Sequence, residues 1–149
     1  MRPLDPKKVK YIVIHCTATP EGRHHTVNEI RRWHQYGNGW RDIGYHYVIE
    51  IETIPDQYPE ELIKEGRSIQ YQCAHVAKYN DCSVGVCYVG GMSADMRKPQ
   101  DTRTPLQKEA LSLIVAELKQ RFPGAKVVGH RDLDPRKACP SFDVSNSFP

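Results

Sequence analysis

Residues 11–20 read YIVIHCTATP, and this stretch decides the class of fold. Its β-branched run over residues 11–14 follows a charged leader and is typical of a strand that is buried on both faces. Small and turn-forming residues come after His15 and end the strand. Because α/β sheets bind ligands at the carboxyl edge of their strands, His15 lies at a candidate site.

Outward from this strand, helical and strand patterns alternate. The sequence from Thr26 to Glu29 is a capping box, which predicts a helix that ends near Gly37. Residues 44–52 are rich in aromatic and β-branched side chains and predict a second strand. Residues 53–72 are broken by proline and glycine and show no clear period, although residues 60–64 fit one helical turn. One face of the second strand is predicted to carry Tyr45, Tyr47, Ile49 and Ile51.

The second half of the chain continues the alternation. Residues 83–89 predict a third strand, and residues 92–103 predict a polar surface loop. A capping box with proline at its first helical position, over residues 104–107, predicts a second helix. Residues 125–128 predict a last short strand, followed by a long irregular segment. The apolar stripe of the second helix is predicted to contain Leu106, Ala110, Leu113, Ile114 and Leu118.

Together these elements predict an α/β fold with a central mixed sheet that helices flank on both faces. The 149 residues suit one domain over residues 1–149, and 39% hydrophobic with 26% charged residues excludes intrinsic disorder. The net charge of +3 is too small for a nucleic-acid-binding surface. No apolar run reaches the ~18 residues of a membrane span, and no secretory signal is visible. We therefore expect a protein that is cytoplasmic at synthesis and does not insert into membranes.

Three residues in distant parts of the chain suit a metal ion. His130 and Cys139 lie nine positions apart in the segment GHRDLDPRKACPSF, and His15 ends the first strand. Imidazole nitrogen and thiolate sulfur are preferred ligands of Zn²⁺, and three protein ligands leave a fourth position open, as in catalytic sites. On spacing alone, the same residues also fit a strand-end histidine, a surface histidine and a buried thiol with no metal.

Longer stretches of the sequence narrow these alternatives. The chain resembles the zinc-dependent N-acetylmuramoyl-L-alanine amidases of the phage-lysozyme and peptidoglycan-recognition-protein group. The resemblance covers residues 10–143 and rests on six separate stretches that occur in the same order. These stretches are IVIHCTAT (12–19), EIRRWH (29–34), GWRDIGYHY (39–47), AHVAKYN (74–80), SVGVCYVGG (83–91) and KACPSFD (137–143).

The resemblance implies a role for individual residues. His15, His130 and Cys139 match the ligands of one zinc ion per chain, which the family holds at the floor of a cleft. Tyr45 and Lys137 match catalytic residues near the metal. The implied reaction is hydrolysis of the amide that joins the lactyl group of N-acetylmuramic acid to L-alanine in peptidoglycan, as in a phage or prophage endolysin. Such a protein acts on the cell wall after release or export, and we expect it to be a monomer.

Four further residues are candidates for contact with substrate. His75 and Asn80 match a stretch near the substrate cleft of the family, and a role in stabilising their own loop is the alternative. Trp33 and His34 lie on the first predicted helix. Packing of these two side chains into the core is the first interpretation, and a position in the wall of the cleft is the second.

Two other functions remain open at this level. One is a peptidoglycan-binding module without catalysis. The presence of all three ligands together with Tyr45 and Lys137 argues against this function. The other is an interaction module that regulates another enzyme. A structural zinc site is a third possibility, and it would require a fourth protein ligand such as Cys16.

Overall fold

A computed structural model describes residues 1–148, and its centre is a sheet that contains the predicted buried strands. Pro149, the last residue of the predicted domain, lies outside the described residues. The helices are α1 (Val27–Arg32), α2 (Pro105–Arg121) and α3 (His130–Leu133). The strands are β1 (Tyr11–Cys16), β2 (Thr19–Pro20), β3 (Tyr47–Ile49), β4 (Ile63–Glu65), β5 (Ser83–Tyr88), β6 (Gly91–Met92) and β7 (Lys126–Gly129).

The main sheet is mixed, with the strand order β4-β3-β5-β1-β7. Strand β1 pairs in parallel with both β5 and β7, and β3 pairs in parallel with β5. Strand β4 is the antiparallel edge strand beside β3. Strands β2 and β6 form a separate parallel pair. The predicted mixed sheet is therefore confirmed, and β1 lies in its interior.

The two faces of the sheet pack against different parts of the chain. Ile12, Ile14 and Cys16 of β1 join the core cluster that contains the buried side of α2. Val13 joins a second cluster with Val76 and Val128 on the opposite face. Because side chains alternate along a strand, His15 shares the face of Val13 and points away from α2. His15 therefore lies on the face that α2 leaves uncovered.

Both predicted capping boxes are present. The Thr26 hydroxyl accepts from the N–H of Glu29, and the Thr104 hydroxyl accepts from the N–H of Gln107. Helix α1 continues into a π-helical turn over Trp33–Gly37, so the helical path ends at the predicted glycine. Strands β5 and β7 lie where the sequence predicts them. These elements form from local signals that packing reinforces.

The prediction for the second strand is wrong in its length and in its alternation. Strand β3 covers only Tyr47–Ile49, so the alternation predicted over residues 44–52 is broken. Tyr47 and Ile49 pack on the α2 side, whereas Tyr45 and Ile51 pack on the opposite side with Ile30.

Leu113 is 43% exposed and does not belong to the buried stripe of α2. The buried positions are Gln107, Ala110, Leu111, Ile114, Val115 and Leu118, which follow the helical spacing of three and four residues. Leu113 is three residues after Ala110, but it lies beyond the edge of the buried stripe and therefore faces solvent.

Of the short elements, the sequence indicated only the helical turn near residues 60–64. Residues 53–72 contain a 3₁₀ turn over Pro59–Leu62 and the edge strand β4, which lack enough residues to show a period. Helix α3 interrupts the segment that was predicted to be irregular after β7. Among residues 1–148, the structure contains no helix with the length and apolar character required to cross a membrane.

Candidate metal centre

The fold brings His15, His130 and Cys139 together. One ligand atom from each of them lies within 4.8 Å of the other two. His15 ends β1, and His130 begins α3 directly after β7, the parallel neighbour of β1. Parallel neighbours end at the same edge of the sheet, which explains why two histidines 115 positions apart in the chain meet here.

Cys139 reaches the same edge on a loop with several anchors. Its carbonyl accepts from the N–H of Arg131 at 2.8 Å, and the carbonyl of Pro140 accepts from the buried Tyr88 hydroxyl at 2.7 Å. Ser141 donates to the carbonyl of Gly91 at 3.0 Å. Phe142, next along the chain, is buried in the α2-side core. The loop is thereby fixed on both sides of the cysteine.

The geometry of the three residues fits zinc. Nδ1 of His15 lies 3.7 Å from Sγ of Cys139. Tetrahedral coordination at ordinary Zn–N and Zn–S bond lengths places two such ligand atoms about 3.6 Å apart. The donor set of two imidazoles and one thiol is also the set that zinc prefers. The residues present therefore fit the implied metal.

The environment keeps both histidines neutral, as metal ligands must be. Burial lowers the pKa of His15 well below its usual value, and the neighbouring histidines lower it further. Burial also lowers the pKa of His130, with a second contribution from the positive charge of Lys137. Neutral imidazoles have a free lone pair at neutral pH, so no proton competes with a cation.

The Cys139 thiol differs from the histidines. Its hydrogen bond with the Cys16 thiol, followed by burial, raises its pKa above the usual range. The backbone N–H of Cys16 points at Sγ from 3.1 Å and favours the charged form. A bound cation must therefore displace the thiol proton, and the N–H group then stabilises the resulting thiolate.

Tyr45 lies beside the triad. Its ring centroid is 5.1 Å from that of His15. Burial raises the pKa of Tyr45 well above its usual value. The phenol is therefore protonated at neutral pH, which makes its hydroxyl a hydrogen-bond donor.

A cavity of about 410 Å³ adjoins the triad and includes Lys137 in its wall. It connects with the metal candidates through His130, whose ring centroid lies 4.7 Å from that of His15. The lining residues are Trp40, Ala74, His75, Val76, Ala77, Asn80, His130, Asp134, Arg136 and Lys137. The cavity therefore gives Lys137 and His130 a common space that a substrate can enter.

His75 and Asn80 both border this cavity. The Asn80 side-chain oxygen accepts from the N–H groups of His75 and Val76, each at 3.0 Å, so Asn80 shapes its own loop. His75 is buried, and Nδ1 of its ring lies 2.8 Å from Nε2 of His15. Its side chain therefore faces the metal candidates.

Trp33 and His34 occupy different environments. Trp33 is 42% exposed, and its ring contacts that of His25, so the interpretation as a core residue is wrong for Trp33. His34 accepts from the N–H of Gly44 at 2.8 Å, and its ring lies between those of Trp40 and Tyr45. His34 thus supports the wall of the cavity from behind, while Trp33 does not line it.

Several residues of this region were not singled out from the sequence. Trp40, Asp134 and Arg136 border the cavity, and Ser83 binds the ring of His75. Gly85 contacts the same ring. A glycine inside a buried strand signals a close approach by another group, and this was the one available clue.

Comparison with known proteins identifies the class. A family model described as N-acetylmuramoyl-L-alanine amidase matches residues 5–142. The endolysin of Klebsiella phage KP32 is 39% identical over 138 residues, which cover 93% of this chain and 84% of that protein. The chain therefore belongs to the N-acetylmuramoyl-L-alanine amidase family, as the sequence resemblance implied, and it is an enzyme of the amidase class.

Solved structures share the fold of this chain. An N-acetylmuramoyl-L-alanine amidase of Clostridium intestinale shares the fold with a TM-score of 0.70 and 23% identity, over 99% of this chain and 84% of that one. A complex of the peptidoglycan recognition proteins LCa and LCx with tracheal cytotoxin gives a TM-score of 0.67 at 25% identity. This match covers 89% of this chain and 76% of the matched chain.

Proposed function

We propose that this protein is a zinc-dependent amidase that hydrolyses the bond between the lactyl group of N-acetylmuramic acid and L-alanine in peptidoglycan. The observation that carries the proposal is the convergence of His15, His130 and Cys139 within 4.8 Å, beside a cavity, in a chain of the amidase family. The bacterial cell wall is the proposed place of action, as for the phage endolysins that the chain resembles.

The three ligands would hold one zinc ion and leave a fourth coordination position open. A zinc ion in such a site acts as a Lewis acid and supplies a nucleophile near neutral pH. The protein contributes neutral His15 and His130 and the thiolate of Cys139. Two neutral ligands and one anion leave a net positive charge at the centre, which favours the negative charge that develops on an amide oxygen.

Tyr45 acts as a hydrogen-bond donor in this proposal. Its phenol keeps its proton because burial raises the pKa, and its ring lies against His15. In this structure the hydroxyl has Cys87 as its hydrogen-bond partner, and a substrate oxygen beside His15 would take the place of that partner. An ionised phenol would not serve this purpose, since it would repel the same negative charge.

Lys137 supplies a second positive charge. It is exposed at the cavity wall beside His130, and its charge is close enough to lower the pKa of that histidine. A cation in this position stabilises the oxyanion of the tetrahedral intermediate. Removal of one such group typically raises the barrier by about 3 kcal/mol.

The cavity offers room for the sugar and the stem peptide. Trp40 presents an exposed aromatic surface at one side, supported by His34, and Asn80 borders another side. We propose that the substrate lies along this cavity, with His34 and Asn80 maintaining its shape. Trp33 is exposed outside the lining residues and would contact only an extended portion of the substrate.

Defined muropeptides test the proposal. The protein, loaded with one equivalent of zinc, is incubated with a disaccharide that carries a stem peptide, and the products are analysed by mass spectrometry. We expect a peptide with a free L-alanine amino group and a disaccharide with a free lactyl carboxylate. Chelation should abolish both products, and added zinc should restore them. An intact muropeptide that nevertheless binds to the zinc-loaded protein would support a non-catalytic module instead.

A further inference from the structure

The ring of His75 belongs to a chain of buried hydrogen bonds that ends at His15. Nε2 of His75 lies 3.0 Å from the hydroxyl of Ser83, and Nδ1 of His75 lies 2.8 Å from Nε2 of His15. Each of these three side chains is at most 8% exposed. Water therefore does not compete for these contacts.

The hydrogen bond that Ser83 makes at the far end of this series determines where each proton lies. The hydroxyl of Ser83 is 2.6 Å from the carbonyl oxygen of Tyr79, and a carbonyl can only accept, so Ser83 donates its single proton there. Ser83 must then accept from His75, which places the His75 proton on Nε2. The unprotonated Nδ1 of His75 accepts from Nε2–H of His15. Nδ1 of His15 is therefore the atom with the free lone pair.

That lone pair faces the other metal candidates. Nδ1 of His15 is the nitrogen that lies 3.7 Å from Sγ of Cys139. In the opposite tautomer, this atom would carry a proton and would not bind a cation. The hydrogen bonds of Ser83 and His75 thus select the tautomer in which His15 is competent as a ligand.

The fold holds the His75 ring tightly in place. A side chain at Gly85 would bring its Cβ to 2.8 Å from Cγ and 2.9 Å from Nδ1 of the His75 ring, so only glycine allows the ring to lie against β5. Asn80 fixes the backbone of the same residue through the N–H of His75. Glycine inside a strand reduces stability, and close approach by the ring accounts for its presence here.

We propose that His75 is a positioning residue that holds His15 in its Nε2-protonated tautomer and thereby sets the affinity of the metal centre. This inference rests on the zinc site of the proposed function. It assigns His75 to the metal centre rather than to the stem peptide. Loss of such a partner behind a metal-binding histidine typically weakens metal binding 10–100-fold.

Nuclear magnetic resonance of the zinc-free, ¹⁵N-labelled protein at neutral pH reads the tautomers directly. Long-range ¹H–¹⁵N correlations should show both His15 and His75 protonated at Nε2. A proton on Nδ1 of His15 would overturn the proposal. This measurement needs neither zinc nor activity, so a wild-type protein that fails to bind zinc would refute the proposed function while leaving the tautomer measurable.

Substitutions in this series of hydrogen bonds test its effect on the zinc affinity. We expect His75→Leu to raise the zinc Kd 10–100-fold in competition with a chromophoric chelator. His75→Asn should recover most of the affinity, because its side-chain oxygen can stand near the position of Nδ1. Ser83→Ala should weaken binding about 5-fold through loss of one buried hydrogen bond. The control His24→Asn changes a histidine that takes no part in these hydrogen bonds, and it should leave the zinc Kd unchanged.

Folding is monitored through the near-ultraviolet circular dichroism of each zinc-free variant. A folded His75→Leu protein with the wild-type zinc Kd would contradict the proposal. Equal losses in His75→Leu and His75→Asn would also contradict it, since the second variant retains an acceptor. If His75→Leu does not fold, the tautomer of His15 and the Ser83→Ala variant decide the question.

Discussion

Nδ1 of His15 lies 3.7 Å from Sγ of Cys139, although the two residues are 124 positions apart in the chain. The other ring nitrogen of His15 is occupied by His75 at 2.8 Å. One imidazole thus has one nitrogen held by the protein and the other directed at a thiol. This arrangement is typical of a metal ligand whose orientation the protein fixes in advance.

Tyr45→Phe tests the donor role of the phenol. The substitution keeps the ring against His15 and removes only the hydroxyl. We expect kcat to fall about 10²–10³-fold, as for other lost donors at a reacting oxygen, with an unchanged zinc Kd. Initial rates on a defined muropeptide and chelator competition provide the two measurements. Tyr47→Phe, on the opposite face of the sheet, is the matched control. Full activity of Tyr45→Phe would refute the role.

Lys137→Gln tests the charge at the cavity wall. Loss of the cation should reduce kcat about 10²-fold, because the developing negative charge loses one stabilising partner. Lys98→Gln removes an exposed lysine that does not line the cavity, and we expect it to retain the wild-type rate. If both variants lose the same activity, a general effect of net charge on substrate encounter would explain the result better.

Burial of His46 should make the folded protein less stable at acid pH. Burial lowers the pKa of His46 from 6.5 to about 4, so its folded-state pKa lies below the unfolded value. Above pH 6.5 the residue is neutral in both states and contributes nothing. As the pH falls from 6.5 towards 4, His46 binds a proton in the unfolded chain but stays neutral in the folded protein. The free energy of unfolding therefore decreases, by about 2 kcal/mol at pH 5.

Urea unfolding of the zinc-free protein at pH 7 and pH 5 measures this loss. The NMR titration of His46 isolates its share, since the buried His15 and His75 change stability in the same direction. We expect the His46 resonance to remain that of a neutral imidazole at pH 5. Titration of this resonance near pH 6.5 in the folded protein would show that the prediction is wrong.

Two leucines of α2 test the packing of the fold. Leu111 is completely buried, and Leu113 is 43% exposed two positions further along the same helix. Leu111→Ala should lower the free energy of unfolding by about 2–5 kcal/mol through lost burial and a cavity. Leu113→Ala should change it by less than about 0.5 kcal/mol. Denaturant unfolding measures both, and similar losses would contradict the observed orientation of α2.

Much of the fold follows from local sequence signals. The strand before His15 was visible as a β-branched run, and α2 was visible from its capping box at Thr104 and its apolar spacing. The second strand was predicted too long because Tyr45 and His46 resemble strand residues in composition. In the structure, the backbone before β3 departs from regular alternation, and Tyr45 packs on the face opposite to Tyr47. Composition alone does not encode that change of face.

The site was predicted from resemblance rather than from spacing. His15, His130 and Cys139 have no motif that links them, and they meet only because β1 and β7 are neighbours and a loop returns to them. The contact between His75 and His15 was not predicted either, since it depends on how a loop folds over Gly85. Edge strand β4 was missed because three residues are too few to show a period.

Diffraction data collected at the zinc absorption edge, from crystals grown with zinc, test the central claim most directly. We predict one strong anomalous peak per chain, within bonding distance of Nδ1 of His15, a ring nitrogen of His130 and Sγ of Cys139, with no fourth protein ligand. A peak at another position, no peak in a crystal that contains zinc, or Cys16 bound as a fourth ligand would contradict the account.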